Sequence, residues 1–209
     1  MYTKLIPAFV LCGLFIHVYS QPVKPLRIGD TLTNTDFTYS LNDQKYTGSL
    51  PDKNGKLTIL DFWATWCSSC IKVLPKVEAL QKEMGDRVQF VLVNAKNSGD
   101  DPAKIRNFFS KWKTRYGAEL SLASVEQDTL LGTLFPHQLV PHYVWIDAGG
   151  KIAAFTSAEQ VTAANIKAVL EKGQAEIAMK KDQDRSRPLF TTQDLPQSPL
   201  MSYSIFFKG

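Results

Sequence analysis

The sequence predicts an α/β fold on three observations. Two short apolar runs, residues 57–62 and 88–93, have the character of buried strands and are separated by a segment with helical spacing. Residues 143–146 and 151–155 flank Asp147-Ala148-Gly149-Gly150, the signature of a β-hairpin. Across the chain, strands and helices alternate in the order β-α-β-α-β-α-β-β-α, which describes a sheet with flanking helices closed by an antiparallel hairpin.

Each element has a local reason. Residues 21–50 are mostly polar, with alternation in Thr38-Tyr39-Ser40-Leu41 and Lys45-Tyr46-Thr47 that predicts short strands or a hairpin leading into the domain. The run Leu57-Thr58-Ile59-Leu60-Asp61-Phe62 reads as a buried strand. A helix follows over residues 68–84, because Val73, Leu74, Val77, Leu80 and Met84 recur at three- and four-residue steps. Gly85 suits a left-handed cap beyond its end, and Pro75 inside it predicts a kink. Residues 88–93 give the next strand. Asp101-Pro102 then starts a helix with an N-cap and a proline in the first turn, its apolar stripe running through Ile105, Phe108, Phe109, Trp112 and Tyr116 to a stop at Gly117. That aromatic stripe reads as core rather than as a ligand cage. A strand is expected over residues 120–125 and a short helix over 130–135. After the hairpin, Thr162 caps a last helix through Ile166, Val169 and Leu170, with Gly173 as its stop and residues 174–181 as a continuation.

The 209 residues, 44% of them hydrophobic, correspond to one domain plus appendages. Residues 1–20 read as a secretory signal peptide: Lys4 supplies the charge, and an apolar run follows that is too short for a bilayer span of about 20 residues. Residues 21–50 form an N-terminal extension and 51–181 the main domain. Residues 182–209, with Pro188, Pro196 and Pro199, are a proline-rich tail or the start of a second domain. Cys12 lies inside the signal core, and bulky Leu11 before it argues against a lipidated cysteine. Loss of Lys4 would take the formal charge from +4 to +3. So small an excess, without basic runs interleaved with aromatics, supports no nucleic-acid partner.

With the signal segment removed, two cysteines remain, both in Trp66-Cys67-Ser68-Ser69-Cys70. An exported chain with no other cysteine is not a disulfide-stapled scaffold. A structural zinc site needs four ligands, and a c-type haem site needs His where Ile71 stands. A CxxC pair at a strand-to-helix junction fits reversible dithiol chemistry instead. The first thiol meets the unpaired N–H groups and the positive end of the helix dipole, which favour the nucleophilic thiolate. The second thiol is near enough to resolve a mixed disulfide.

The run LDFWATWCSSC with Pro75 resembles thioredoxin: an aspartate six positions before the first cysteine and a proline five after the second. With the signal peptide, the extension, the insertion carrying the Asp101 helix and VPHYVWIDAGGKI, the chain resembles exported thioredoxin-like reductases of the TlpA/ResA type over residues 28–175. The resemblance implies a thioredoxin-like fold, a central mixed sheet with flanking helices, an N-terminal strand extension and an inserted helix. It implies that Cys67 attacks and buried Cys70 resolves, that Asp61 lies beneath the pair and takes the proton of Cys70, and that Pro141 is a cis-proline facing the disulfide and presenting Val140 to a client strand. It further implies an extracytoplasmic, periplasmic or cell-envelope enzyme, without cofactor or metal, monomeric, acting on disulfide-containing client proteins and recharged by a membrane thiol carrier. Ser68-Ser69 departs from the proline or charged residue that many relatives place there, so the resemblance assigns no potential. Three other readings stay open: a dithiol oxidase or isomerase, a copper-binding assembly chaperone, against which the CxxC spacing counts, and a binding module whose cysteines idle. His137 and His142 flank Pro141 and read as exposed loop histidines, with tuning of Cys67 or metal binding as the alternative.

Overall fold

A computed structural model describes residues 23–41, 44–173 and 177–180. The expected signal segment, Cys12, the tail over 182–209 and parts of the stretch after Gly173 lie outside the described residues. Residues 177–180 are not helical, so over them the last helix does not continue past Gly173.

The elements are β1 (Thr35–Leu41), β2 (Gln44–Leu50), β3 (Leu57–Phe62), α1 (Ser68–Met84), β4 (Val88–Ala95), α2 (Pro102–Tyr116), β5 (Ala123–Asp128), α3 (Leu131–Leu134), β6 (His142–Ile146), β7 (Ile152–Thr156) and α4 (Ala163–Lys172). The strands form one seven-stranded mixed sheet in the order β2-β1-β5-β4-β3-β6-β7. β3 pairs in parallel with β4 and antiparallel with β6, which places β3 near the middle and buries all six of its residues. The N-terminal hairpin β1–β2 joins through β1 to β5. Its lead-in binds the opposite edge: Gly29 N–H and Leu32 N–H donate to the carbonyls of Ile152 and Gly150 (2.9 and 2.8 Å). The extension therefore touches both ends of the sheet.

Two apolar layers flank the sheet. One gathers Leu57, Ile59 and Trp63 of the β3 region with Cys70, Leu74 and Val77 of α1, Trp112 of α2, Tyr143 and Trp145 of β6, and Ile166 and Val169 of α4. The other gathers Leu60 and Phe62 with Leu32, Val91, Val93, Val144 and the α3 residues Leu131 and Leu134. The split follows the two-residue period of a strand: odd residues of β3 face α1 and even ones face α3. Leu74 and Val77 are fully buried, a gain of about 1.5–3 kcal/mol for a side chain of this class.

The caps follow the sequence with one exception. Asp101 accepts from the Lys104 N–H (2.8 Å), Thr162 accepts from Asn165 N–H (3.2 Å), and Gly117 and Gly173 close their helices in the left-handed region. Gly85 has a positive φ of 57° but a ψ of −133°, so it is not a left-handed cap. It opens a single 3-10 turn over Gly85–Arg87, because the chain must reverse within three residues to enter β4. Helix α1 runs unbroken through Pro75. Strand β5 starts three residues later than expected. Leu120 and Leu122 are buried in the α1-side layer ahead of it, and Ser121 between them is held by Glu78 (2.9 Å from its N–H, 2.7 Å from its hydroxyl).

Candidate functional site

The motif sits where β3 ends and α1 begins. After Phe62 the chain makes a short loop, and Cys67 becomes the N-cap of α1, its sulfur accepting from the Cys70 N–H (3.2 Å). Cys67 and Cys70 are joined as a disulfide with Cα atoms 5.3 Å apart. Cys67 keeps 5% of its surface and Cys70 none. The first sulfur is thus less open than its place on a first helical turn suggests. The Ser69 hydroxyl lies 3.4 Å from the Cys67 sulfur, a second polar contact from within the motif. Trp66, 63% exposed, stands beside the pair as an open apolar surface.

Asp61 is fully buried in the middle of the sheet. As an odd residue of β3 it points to the layer that holds Cys70, Trp63 and Tyr143, and its partner across the ladder is Tyr143. Neither carboxyl oxygen, nor the Tyr143 hydroxyl, has a hydrogen-bond partner of good geometry among the described residues. Burial raises the Asp61 pKa from 3.8 to about 7, and the neighbouring Tyr143 hydroxyl moderates that rise. The two groups are not aligned as a hydrogen bond, so the pair is a polar contact. The Tyr143 pKa is pushed up by burial first and by the Asp61 charge second. An unbonded acid in an apolar layer is costly unless it is protonated. A pKa near neutrality lets this one hold or take a proton under ordinary conditions.

The Val140–Pro141 peptide bond is cis, as is Leu50–Pro51. Val140 and Pro141 line a groove of about 560 Å³ together with Ser69 and Val73 of α1, Leu139 and Lys180. The groove brings the loop before β6 beside the CxxC turn.

His142 is not an exposed loop residue. It begins β6, is 4% exposed, and faces the α3-side layer, paired across the ladder with Phe62. His137 stacks on it (4.8 Å between ring centres, 10° between planes), and Phe62 and Phe155 complete the cluster. Burial lowers its pKa to about 3, with Lys180 and His137 adding repulsion. A neutral imidazole on the far face of the sheet does not reach Cys70. His137 Nδ1 lies 2.9 Å from the Phe135 carbonyl, which makes that nitrogen the donor. Among the described residues no group of three or more histidine, cysteine or acidic side chains is placed to hold a metal ion.

A support that the motif itself does not reveal is Asp100. It is 5% exposed and accepts from the Thr65 N–H (2.7 Å), the Thr65 hydroxyl (2.5 Å) and the Asn94 amide (2.7 Å). Trp66 Nε1 donates to the Ser98 carbonyl (2.8 Å). The β4–α2 loop therefore holds both residues that precede Cys67. The doublet Asp100-Asp101 carries a signal of this: one aspartate suffices for the helix cap, which leaves the other for a different task.

The thioredoxin family model matches residues 37–108, from the hairpin through the motif into α2. The topology agrees with a crystal structure of the thioredoxin domain of a thiol-disulfide oxidoreductase from Bacteroides vulgatus: TM-score 0.50, 19% identity, over 71% of this chain and 98% of that one. The chain thus carries a thioredoxin family match over residues 37–108 and has a thioredoxin-like fold. It is 42% identical over 60 residues to the thioredoxin-like protein YneN of Bacillus subtilis, covering 29% of this chain and 35% of that protein. It is 35% identical over 69 residues to the sporulation thiol-disulfide oxidoreductase A of the same organism, covering 32% and 41%. The chain thus spans well under half the length of these curated relatives.

Proposed function

We propose that this thioredoxin-like chain is an extracytoplasmic thiol–disulfide oxidoreductase of the TlpA/ResA type that reduces disulfides in client proteins. Three features support the proposal: a disulfide-bonded cysteine pair at the start of α1, a buried carboxyl with a raised pKa on β3, the strand that leads into it, and a groove that joins Ser69 of the motif to Val140 and Pro141. The N-terminal hairpin and the α2–β5 segment support the subtype. The signal-like first 20 residues support export.

In the reduced enzyme the Cys67 thiolate attacks one sulfur of a client disulfide. The client S–S bond breaks, a mixed disulfide forms and one client thiol leaves. The Cys70 thiol then passes its proton to Asp61 and its sulfur attacks Cys67. The mixed disulfide breaks, the second client thiol leaves, and Cys67–Cys70 is closed. Two electrons have passed from enzyme to client. The helix dipole and the Ser69 contact favour Cys67 as the attacking thiolate. Val140 offers its backbone to a client strand, since neither its N–H nor its carbonyl is used within the described structure. Reopening the disulfide requires two electrons from a thiol donor, which in an oxidising compartment is a membrane thiol carrier. The enzyme acts as a monomer.

Redox equilibration of the signal-free protein against glutathione, with insulin-disulfide reduction as the activity, tests the reading. A potential nearer to about −270 mV than to about −120 mV, with insulin turnover, is expected of a reductant. A potential near the upper value would instead make the chain an oxidase of thiols.

A further inference from the structure

The segment after α4 reaches back to the client groove. Ile177 is buried in the α1-side layer, and the Lys180 N–H donates to the Phe155 carbonyl on the open edge of β7 (2.8 Å). These two anchors bring the Lys180 ammonium under the loop before β6. It donates to the Leu139 carbonyl and to the Pro141 carbonyl (3.2 Å), and lies 3.4 Å from His142 Nδ1. The two carbonyls belong to the residues on either side of Val140. Their capture fixes the Leu139–Val140 peptide plane, which carries the Val140 N–H, and the Pro141–His142 plane one residue further on, and so brackets Val140 at the groove, which Lys180 also lines.

We infer that Lys180 is a positioning residue for client binding: its ammonium holds the Leu139–Pro141 backbone in the shape that pairs with a client strand. The chain segment beyond the last helix then belongs to the functional unit. This rests on the reductase reading above, but the structural part of it can be tested without turnover. A pre-ordered loop spares the client the cost of ordering it, so the benefit falls on binding and not on sulfur chemistry. His142 serves as the third wall for the ammonium, neutral because it is buried beside a cation.

The test is Lys180→Met in the full chain, which keeps the apolar stem and removes the charge, alongside Lys180→Arg. For Lys180→Met the KM for a disulfide-bonded peptide should rise about tenfold, the scale of losing charge-assisted hydrogen bonds. The kcat and the glutathione equilibrium should stay unchanged, and Lys180→Arg should recover most of the loss. In ¹⁵N relaxation, the amides of Leu139 and Val140 should become mobile in Lys180→Met while those of α1 and β3 do not. An unchanged loop in the relaxation data overturns the inference whatever the activity. So does a fall in kcat or a shift in the glutathione equilibrium equal to the change in KM. If the unaltered protein reduces no disulfide, the functional reading fails, and a mobile loop in Lys180→Met still establishes the positioning role.

Discussion

Asp61 and His142 sit one residue apart in the β3–β6 ladder, where Asp61 pairs with Tyr143 and Phe62 with His142, yet they face opposite sides of the sheet. Both are buried, and burial drives each toward its neutral form. For the acid this means a pKa raised to about 7, and for the base a pKa lowered to about 3. On the α1 face the acid has no hydrogen-bond partner and lies in the layer of Cys70. On the α3 face the imidazole is stacked between aromatic rings and bordered by Lys180. The same physical penalty therefore produces a carboxyl that titrates near neutrality on one side and an imidazole held neutral on the other. What separates them is which protonation state burial favours.

Function should divide the two faces most sharply. Cys70→Ser should abolish turnover and accumulate a mixed disulfide with clients, detected as a reducible adduct. His142→Phe should leave kcat within about twofold, since it removes no group that touches the sulfurs. A kcat loss in His142→Phe as large as that in Cys70→Ser would break the division.

Stability against pH should carry opposite signs. Asp61 has a folded pKa above its unfolded value of 3.8, so its full contribution is present below pH 3.8 and is lost as pH rises to about 7. The shift corresponds to roughly 4 kcal/mol at the upper limit. His142 has a folded pKa of about 3 against 6.5, so its contribution is full above pH 6.5 and is lost as pH falls toward 3. Between pH 4 and 6.5 the two slopes oppose each other. Denaturant titration should show Asp61→Asn more stable than the parent at pH 7, with stability rising from pH 3 to 6.5. It should show His142→Phe with stability falling from pH 4 to 7. Parallel profiles in the two variants would contradict the burial argument.

A smaller effect tests what supports the redox face. Asp100→Ala leaves the Thr65 N–H and the Asn94 amide without their acceptor and should lower stability by about 2 kcal/mol, measured by denaturant unfolding. It should also change the rate at which Cys67 is alkylated at limiting reagent, because the loop leading to Cys67 is released. Normal alkylation in a destabilised protein would confine Asp100 to a structural role.

The parts of this site that could be read from the sequence are those with local chemistry. Asp101, Pro102 and Gly117 bound a helix whose caps act within four residues, and the Gly149-Gly150 turn fixes the β6–β7 hairpin. The CxxC pair and its spacing from Asp61 are equally local. What escaped depends on contacts far apart in the chain. Asp100 serves Thr65, 35 residues away. Lys180 serves Leu139 and Pro141 across 41 and 39 residues. The misreading of His142 has a different cause. All five residues of β6 are buried, so no polar–apolar alternation marks which side a residue faces, and a histidine next to a loop proline looked exposed.

The central claim is that Asp61 takes the Cys70 proton in the resolving step, and single-turnover decay of a Cys67–client mixed disulfide tests it most directly. Measured from pH 5 to 9, the parent rate should rise through a midpoint near neutrality. Asp61→Asn should be slower by roughly 10- to 10⁴-fold at pH 7.5, with that midpoint gone, the usual range for loss of a positioned base. An Asp61→Asn profile that overlays the parent in both rate and midpoint would contradict the account.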